Sequence, residues 1–192
     1  NNMKPYCMDA PRWVPTLLNS IDNVDDIAVG EAHELYLKKD GSVWMIAYLA
    51  REKRTDPVKV MDNAAEIAAG SYHSLVLKKD GSLWAWGENE CGQLGDGTTI
   101  DHLSPVKVAD GIADTNAYYA LTTDGRMLEI GNGFAEAATG ASRILNGRLA
   151  IMTDGSLWSC SVEYNDYYIT DDAISACEDG EANYYVIKTD HS

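Results

Sequence analysis

Basic residues are scarce in this chain, and their scarcity excludes several kinds of partner. Only 15 of the 192 residues are lysine or arginine, against 30 aspartates and glutamates, which gives a formal net charge of −15. Nucleic-acid binding depends on lysines and arginines that neutralise phosphates, so we expect no nucleic-acid partner. The sequence also contains no apolar run long enough to span a bilayer, so we expect no membrane insertion.

Motifs of catalysis and of metal binding are missing as well. No Gly-x-Ser-x-Gly, His-Glu-x-x-His or Cys-x-x-Cys pattern occurs. The segment 92–97 is rich in glycine but lacks the Gly-Lys-Ser/Thr ending of a phosphate-binding loop, and acidic runs such as 22–26 lack the spacing of a calcium loop. We therefore predict no enzyme activity, no catalytic residue, no metal and no cofactor. The four cysteines allow three disulfide pairings or free thiols: Cys7, Cys91, Cys160 and Cys177.

What the chain does contain is a repeat. Ten residues of the segment that starts at Gly30 recur unchanged 40 positions later, in the segment that starts at Gly70. Aspartate-glycine pairs mark four copies, and a fifth half-copy ends at Asp190: Asp40-Gly41, Asp80-Gly81, Asp124-Gly125 and Asp154-Gly155. A period in this range indicates a repeat architecture.

Each copy carries the pattern of a β-hairpin. Three apolar residues precede each turn, at 35–37, 75–77, 119–121, 149–151 and 185–187. An Asp-Gly pair between such runs is a strong hairpin signal, and an uninterrupted apolar run indicates a strand covered on both faces. A shorter strand precedes the hairpin, and Pro57 and Pro105 are predicted to begin outer strands. Four strands per unit, repeated about every 40 residues, predict the blades of a β-propeller. The segment 133–143 is predicted to be a loop or an outer strand.

The second copy carries the motifs of a known family. Its Gly-Ser-Tyr-His at 70–73, Asp-Gly-Ser-Leu-Trp at 80–84 and Gly-Gln-Leu-Gly at 92–95 resemble the repeat of the regulator of chromosome condensation family, in particular its bacterial branch. The resemblance is close to complete for residues 64–108, strong for 27–60 and thin after residue 112. It implies a propeller, usually of seven blades.

The number of anchors predicts the organisation of the chain. We predict one all-β domain over residues 1–192, a propeller of four-stranded antiparallel blades, with five blades and with residues 5–18 sharing the last blade with the C-terminal strands. The alternative is a fragment of a seven-bladed propeller. The predicted units span 25–60, 64–108, 112–143, 144–170 and 173–190, together with 5–18.

Residues that recur at one position are predicted to be architectural. Trp44, Trp84 and Trp158 share a position in the repeat. Because every blade must bury the same face, we expect these tryptophans to pack between blades. His33 and His73 also share a position. The later copies place no histidine there, so a structural hydrogen bond is predicted for each histidine.

The resemblance also implies a binding face. In bacterial relatives the residues just before the histidine position line one face of the ring, and here they are 32, 72, 116, 146 and 182. The chain has 11 tyrosines against one phenylalanine, and tyrosine is enriched at protein interfaces. The candidate binding residues at or beside these positions are Tyr72, Tyr118, Tyr184, Glu34 and Arg148. A second candidate patch comprises Tyr164, Tyr167 and Tyr168.

These observations predict a non-enzymatic module that displays loops on a propeller and binds another protein, whose identity the sequence does not reveal. The resemblance implies an extracellular or cell-surface location in a bacterium. Two alternatives stay open. One is a carbohydrate-binding or carbohydrate-acting module, in which Trp13 and the second tyrosine patch would stack on sugars. The other is a structural repeat domain of a larger surface protein.

Overall fold

The computed structural model describes residues 21–50, 53–145, 147–159, 167–178 and 184–188. Over these ranges the chain is all-β, as predicted, apart from one short 3₁₀ turn at Ile130–Asn132. None of the described segments forms a helix of the length and apolarity that crossing a bilayer would require.

Four antiparallel sheets follow one another along the chain, and each is one blade of a β-propeller. The first blade consists of β1 (Val24–Val29), β2 (His33–Lys38), β3 (Val43–Ala50) and β5 (Val58–Met61), with the short β4 (Lys53–Arg54) paired to the end of β3. The second consists of β6 (Ala64–Ala69), β7 (His73–Lys78), β8 (Leu83–Gly87) and β9 (His102–Ala109).

The next two blades repeat this order with shorter strands. The third consists of β10 (Ile112–Thr115), β11 (Tyr119–Thr122), β12 (Arg126–Glu129) and β13 (Ala135–Thr139). The fourth consists of β14 (Ala141–Ile144), β15 (Leu149–Met152), β16 (Leu157–Ser159) and β17 (Tyr167–Thr170). A final antiparallel pair consists of β18 (Ala173–Glu178) and β19 (Tyr184–Lys188). The predicted contribution of residues 5–18 to this last unit lies outside the described residues and stays a prediction.

Two strand boundaries differ from the sequence-based expectation. Pro105 lies inside β9 instead of at its start, which an outermost strand tolerates because one of its edges has no neighbouring strand. The segment 133–143 supplies the outer strand β13, as predicted, but its last residues begin β14, so the fourth blade starts at Ala141. Gly140, with a φ of 78°, provides the turn between these two strands.

The Asp-Gly turns explain the recurring tryptophans. Gly81 adopts a φ of 80°, a left-handed conformation that glycine takes without strain. The Asp80 carboxylate accepts hydrogen bonds from the Ser82 backbone N–H at 3.0 Å and from the Ser82 hydroxyl at 2.6 Å. The Ser82 hydroxyl oxygen in turn accepts one from the Trp84 indole at 3.0 Å. The same three-residue chain occurs at Asp40–Ser42–Trp44 and at Asp154–Ser156–Trp158.

The tryptophans differ in what covers their rings. Trp158 packs against the apolar cluster between the third and fourth blades, which confirms its predicted position. Trp44 and Trp84 are half-buried, and each ring lies beneath a lysine ammonium, at 5.5 Å from Lys38 and 5.3 Å from Lys78. These two rings therefore combine a hydrogen bond at the turn with a cation–π contact.

Apolar clusters join each blade to the next. In the first such cluster, Leu35 and Leu37 of the first blade pack with Ile67 and Val76 of the second. In the next, Leu75 and Leu77 pack with Ile112 and Ala120 of the third. The first and third residues of each apolar run therefore point to the following blade, on what we call the outgoing face. The middle residue points to the preceding blade, on the incoming face, and this is why an uninterrupted apolar run is needed.

The loop after β8 is organised by one buried amide. The Asn89 side chain is fully buried, and its NH₂ group donates to the Asp96 carboxylate, to both oxygens of Thr98 and to the Ile100 carbonyl. Its Oδ1 accepts from the backbone N–H of Leu94 at 2.9 Å. The glycine-rich segment 92–97 is thus an internally hydrogen-bonded loop of the repeat, as predicted.

Candidate functional site

The first strands of neighbouring blades contact one another around a central channel. The loops that follow these strands, at 30–32, 70–72, 116–118 and 145–148, lie at one end of that channel, and we call this end the hub face; residue 146 lies outside the described ranges. A cavity of about 410 Å³ extends between the strands, and its lining includes Asp26, Val29, Ala69, Asn116 and Tyr118. The cavity therefore combines apolar walls with a carboxylate, an amide and a phenol.

Tyr72 and Tyr118 stand on the hub face on adjacent blades. Their side chains are 49% and 53% exposed. The Tyr72 hydroxyl donates a hydrogen bond to the Glu31 carboxylate at 2.8 Å, and this bond raises the pKa of Tyr72. The Tyr118 ring meets the His73 imidazole edge to face, with 6.2 Å between the centroids. Both rings are thus held in place while much of their surface faces solvent.

His33 and His73 fasten each blade to the next, which confirms their structural role. The Nε2 atom of His73 donates to the Ala117 carbonyl of the third blade at 3.0 Å. The Nε2 atom of His33 lies 2.7 Å from the Ser74 hydroxyl of the second blade, and burial together with the nearby His73 lowers the pKa of His33. A Cβ at Gly70 would lie 2.1 Å from the His73 ring, so only glycine lets the imidazole pack against its own loop.

Asn116 makes the corresponding connection from the third blade to the fourth. Its NH₂ group donates to the Leu145 carbonyl at 2.8 Å and to the Gly147 carbonyl at 3.1 Å. Its Oδ1 accepts from the backbone N–H groups of Tyr118 and Tyr119, which sets the loop that carries Tyr118. The sequence signal for this role was weak, because Asn116 lies one position before the histidine position of the other copies.

The other three predicted residues of the first patch lie in different environments: Arg148, Glu34 and Tyr184. Arg148 is exposed on the hub face, at the fourth blade. Glu34 is half-buried on β2, where its carboxylate accepts hydrogen bonds from the hydroxyls of Tyr36 and Tyr48. Both carboxylate oxygens of Glu34 are therefore engaged in hydrogen bonds within the chain. Tyr184 opens β19, but its side chain lies outside the described part of the chain.

The second predicted patch lies away from the hub. Tyr168 is on β17, the outermost strand of the fourth blade, and is 48% exposed. Its ring packs edge to face on Trp158 at 5.8 Å, and a hydrogen bond to Asp171 raises its pKa. Tyr164 lies outside the described residues. For Tyr167, the first residue of β17, only the backbone is described. The structure therefore does not bring Tyr168 together with Tyr72 and Tyr118.

Three carboxylates on the first strands were missed by the sequence analysis. Asp26, Glu66 and Asp114 occupy the same position of β1, β6 and β10, and each is paired with the last residue of an apolar run on the next strand. Glu66 accepts from the backbone N–H of Thr115, and Asp114 accepts from that of Ile144. Burial, with the nearby Asp114, raises the pKa of Glu66 to about 7. The shared position of Asp26 and Glu66, both 14 residues before a turn aspartate, was the available signal.

The structure assigns no metal site in the part of the chain that it describes, where no three histidine, cysteine, aspartate or glutamate side chains could hold an ion. Cys91 is an exposed free thiol. Cys7 and Cys160 lie outside the described ranges, and only the backbone of Cys177 is described. The disulfide question raised by the sequence is therefore answered for Cys91 alone.

Comparison with known proteins identifies the repeat. The family profile of the regulator of chromosome condensation (RCC1) repeat matches residues 64–93, and a second RCC1 repeat profile matches residues 80–113. The chain matches no curated protein sequence.

Solved structures show the same fold. Human WBSCR16 is similar over 80% of this chain, with a TM-score of 0.63 and 16% identity. Yeast RCC1 (Prp20), in a crystal structure with Kap60, is similar over 85% of this chain, with a TM-score of 0.56 and 18% identity. The chain spans 55% and 48% of those two chains, which is about half of their length. The chain is thus a β-propeller in which residues 64–113 match the repeat of the regulator of chromosome condensation family.

Proposed function

We propose that this chain is a non-enzymatic protein-binding module whose binding surface is the hub face. The observation that carries the proposal is the pair of exposed tyrosines, Tyr72 and Tyr118, held on adjacent blades by Glu31 and His73. A tyrosine already fixed in one orientation loses little conformational entropy on binding and offers both apolar surface and a hydroxyl. Loops on a rigid scaffold are also where binding residues usually lie.

Electrostatics indicates what the partner surface contains. The carboxylate of Asp26 lines the cavity beneath the hub face, and the whole chain carries a formal charge of −15. A partner segment with lysine or arginine beside apolar residues complements this surface, and opposite charge would speed its association.

The comparison with yeast RCC1 supports a protein partner, because yeast RCC1 was crystallised with Kap60 bound to it. The resemblance to bacterial sequences supports a further proposal, that the chain acts at the cell surface or outside the cell of a bacterium. Fractionation of the source cells tests this: the proposal requires the chain in the surface or secreted fraction and is contradicted by its confinement to the cytoplasm.

Affinity capture with matched variants tests the binding face. The immobilised chain is incubated with the native secretome beside two variants, Tyr72→Ala/Tyr118→Ala and Tyr168→Ala. We expect the parent and Tyr168→Ala to capture the same protein and the double variant to lose it. Tyr168 is a suitable control because its exposure is similar but it lies on the outer strand of a blade. Equal capture by all three proteins contradicts the assignment of the hub face.

Tyr168 itself favours one second candidate, a carbohydrate-binding module. Its exposed ring lies beside the carboxylate of Asp171, and an aromatic ring next to a hydrogen-bonding carboxylate suits stacking on a sugar. A glycan array discriminates between the two functions. Binding to defined glycans that is lost in Tyr168→Ala would support the carbohydrate-binding function. An array without specific signals would contradict it and leave protein binding as the proposed function.

A further inference from the structure

One position on the first strand of each unit points toward the following unit, and we call it the junction position. It lies opposite the third residue of an apolar run, whose side chain is on the outgoing face. Directly opposed residues of an antiparallel pair extend to the same face of the sheet, so the junction position shares that direction. In chain order, the residues at this position are Asp26, Glu66, Asp114, Arg143 and Ser175.

A carboxylate at the junction position joins one blade to the next at two of the junctions. Glu66 accepts from the backbone N–H of Thr115 in the third blade at 3.3 Å, and Asp114 accepts from that of Ile144 in the fourth blade at 2.9 Å. Thr115 and Ile144 are equivalent, because each lies opposite the middle residue of an apolar run. Asp26 differs, since its carboxylate accepts from the backbone N–H of the next residue of its own strand. The bond between blades therefore joins a carboxylate of one blade to one defined backbone N–H of the next.

The junction between the fourth blade and the strand pair β18–β19 carries the opposite charge. Arg143 occupies the position of the carboxylates, and Ala176, opposite the middle residue of the last run, occupies the position of the bound N–H groups. A guanidinium has only donors, so Arg143 cannot accept from the Ala176 N–H. Ala176 is 8% exposed, and buried backbone N–H groups normally have an acceptor. This junction therefore presents two donors where the preceding two junctions pair a donor with an acceptor.

A cavity of about 220 Å³ lies at this junction, and its lining includes Arg143, Ser175 and Ala176. The Arg143 side chain is exposed, so its guanidinium is accessible from solvent. In the part of the chain that the structure describes, no carboxylate forms an ion pair with Arg143. A water molecule occupies about 30 Å³ in the liquid, so the cavity has room for an anion of a few atoms together with bound water.

We propose that this cavity binds the carboxylate group of a small organic acid, which accepts hydrogen bonds from the Arg143 guanidinium and from the Ala176 backbone N–H. The bound carboxylate takes the place that the side chains of Glu66 and Asp114 fill at the two preceding junctions. A guanidinium matches a carboxylate because two of its N–H groups donate in parallel to the two oxygens. The Ser175 hydroxyl, which also lines the cavity, is a further donor.

The charge of the chain favours an anion that carries a single charge. Asp114 lies on the neighbouring first strand, and the whole chain has a formal charge of −15, so both repel an approaching anion. An anion with two charges, such as phosphate, is repelled more strongly than a monocarboxylate. Salt at about 0.15 M screens the long-range repulsion, so the local donors then determine the affinity. We therefore expect acetate to bind more tightly than inorganic phosphate.

Nuclear magnetic resonance titration of the isotope-labelled chain with sodium acetate tests the proposal, with sodium chloride holding the ionic strength constant. We expect saturable shifts of the Ala176 amide and Arg143 Nε–H signals, with a dissociation constant of about 1 mM or weaker for so small a ligand. Arg143→Met should weaken binding by roughly tenfold or more, whereas Arg126→Met, which removes an exposed guanidinium from a turn of the third blade, should leave it within about twofold. Shifts that do not saturate, shifts that chloride or phosphate reproduces, or equal affinity of the two variants would show an adventitious ion only and would overturn the proposal.

Arg143→Glu tests the equivalence of the junctions with a second measurement. The substituted carboxylate is placed to accept from the Ala176 N–H, as Asp114 accepts from that of Ile144. We expect this variant to lose acetate binding and to have a thermal unfolding midpoint about 2–4 °C above that of Arg143→Met at about 0.15 M salt. Acetate should raise the midpoint of the parent and leave that of Arg143→Glu unchanged. Acetate binding retained in Arg143→Glu, or a midpoint no higher than that of Arg143→Met, contradicts the proposed site.

Discussion

The second and third blades have the same topology but differ in almost every polar motif. The second blade has the turn chain of Asp80, Ser82 and Trp84, the histidine connection of His73, and the long loop around Asn89. The third blade replaces the turn chain by bonds from Thr122 and Arg126 to Asp124. It also makes its inter-blade connection through Asn116 and joins β12 to β13 by a short 3₁₀ turn.

The comparison of the second and third blades shows which features a blade requires. Leu77 and Leu121, at the same position of the two blades, are each 3% exposed. Packing between blades is therefore preserved where the turn and loop motifs are lost. A hydrogen bond between neighbouring hub loops is also preserved, although the residue that donates it moves by one position and changes from histidine to asparagine. The polar motifs are one solution among several, whereas the apolar contact has no substitute in either blade.

The largest expected effect comes from removing that shared contact. Leu77→Ala and Leu121→Ala should each lower the free energy of unfolding by about 2–5 kcal/mol, because both leave a cavity in a cluster between blades. Chemical denaturation of the two variants measures the effect. Leu103→Ala, at an exposed position, should change stability by less than about 0.5 kcal/mol. A large cost in the second blade and none in the third would break the equivalence of the two blades.

The strands and the propeller could be predicted from the sequence, whereas the contacts of Asn116 and Glu66 could not. The apolar runs and Asp-Gly turns predicted the strands and the propeller, because every blade needs the same local pattern. Asn116 was not predicted as an inter-blade donor, since its role depends on where the next blade places two carbonyl groups. Glu66 was missed for a related reason: its burial and its bond to Thr115 arise only when the first strands assemble around the channel.

Asn89→Ala should have the next largest effect, and it acts on a feature that the third blade does not share. The substitution leaves the buried Leu94 N–H without its acceptor and removes the NH₂ group whose two hydrogens are shared among four acceptors, so we expect a loss of about 2–3 kcal/mol. Thermal denaturation with Glu90→Ala as the exposed neighbouring control measures it. A loss confined to the control would show that the loop is not organised by the Asn89 amide.

Glu66→Gln should stabilise the protein, and the gain should depend on pH. The folded-state pKa of Glu66 is raised to about 7, so folding favours the protonated acid, and its cost appears as pH rises from about 4.5 through 7. The substituted amide keeps an acceptor for the Thr115 N–H without the charge. After allowance for solvent screening, we expect a gain of about 1 kcal/mol at pH 8 and little at pH 5. Glu136→Gln, at an exposed position of the third blade, is the matched control. An equal gain at both pH values would contradict the assignment.

Ser82→Ala and Arg126→Ala, at the corresponding turns of the second and third blades, should have the smallest effects on stability, and they sharpen the comparison of the two turns. Ser82→Ala removes the bond that Ser82 donates to Asp80 and the one that Ser82 accepts from Trp84, for a cost of about 1 kcal/mol. Arg126→Ala at the corresponding turn breaks only an exposed ion pair and should cost less. Tryptophan fluorescence should shift in Ser82→Ala alone. A larger cost for Arg126→Ala would mean that the third blade depends more on its polar turn than the second does.

The most direct test of the central claim is the affinity of the captured partner for Tyr118→Ala relative to Tyr168→Ala. Isothermal titration with purified proteins measures both dissociation constants against that of the parent. The account predicts that Tyr118→Ala weakens binding by roughly tenfold or more while Tyr168→Ala leaves it within about twofold. The reverse order, with Tyr168→Ala weakening binding and Tyr118→Ala leaving it unchanged, would contradict the assignment of the hub face as the binding surface.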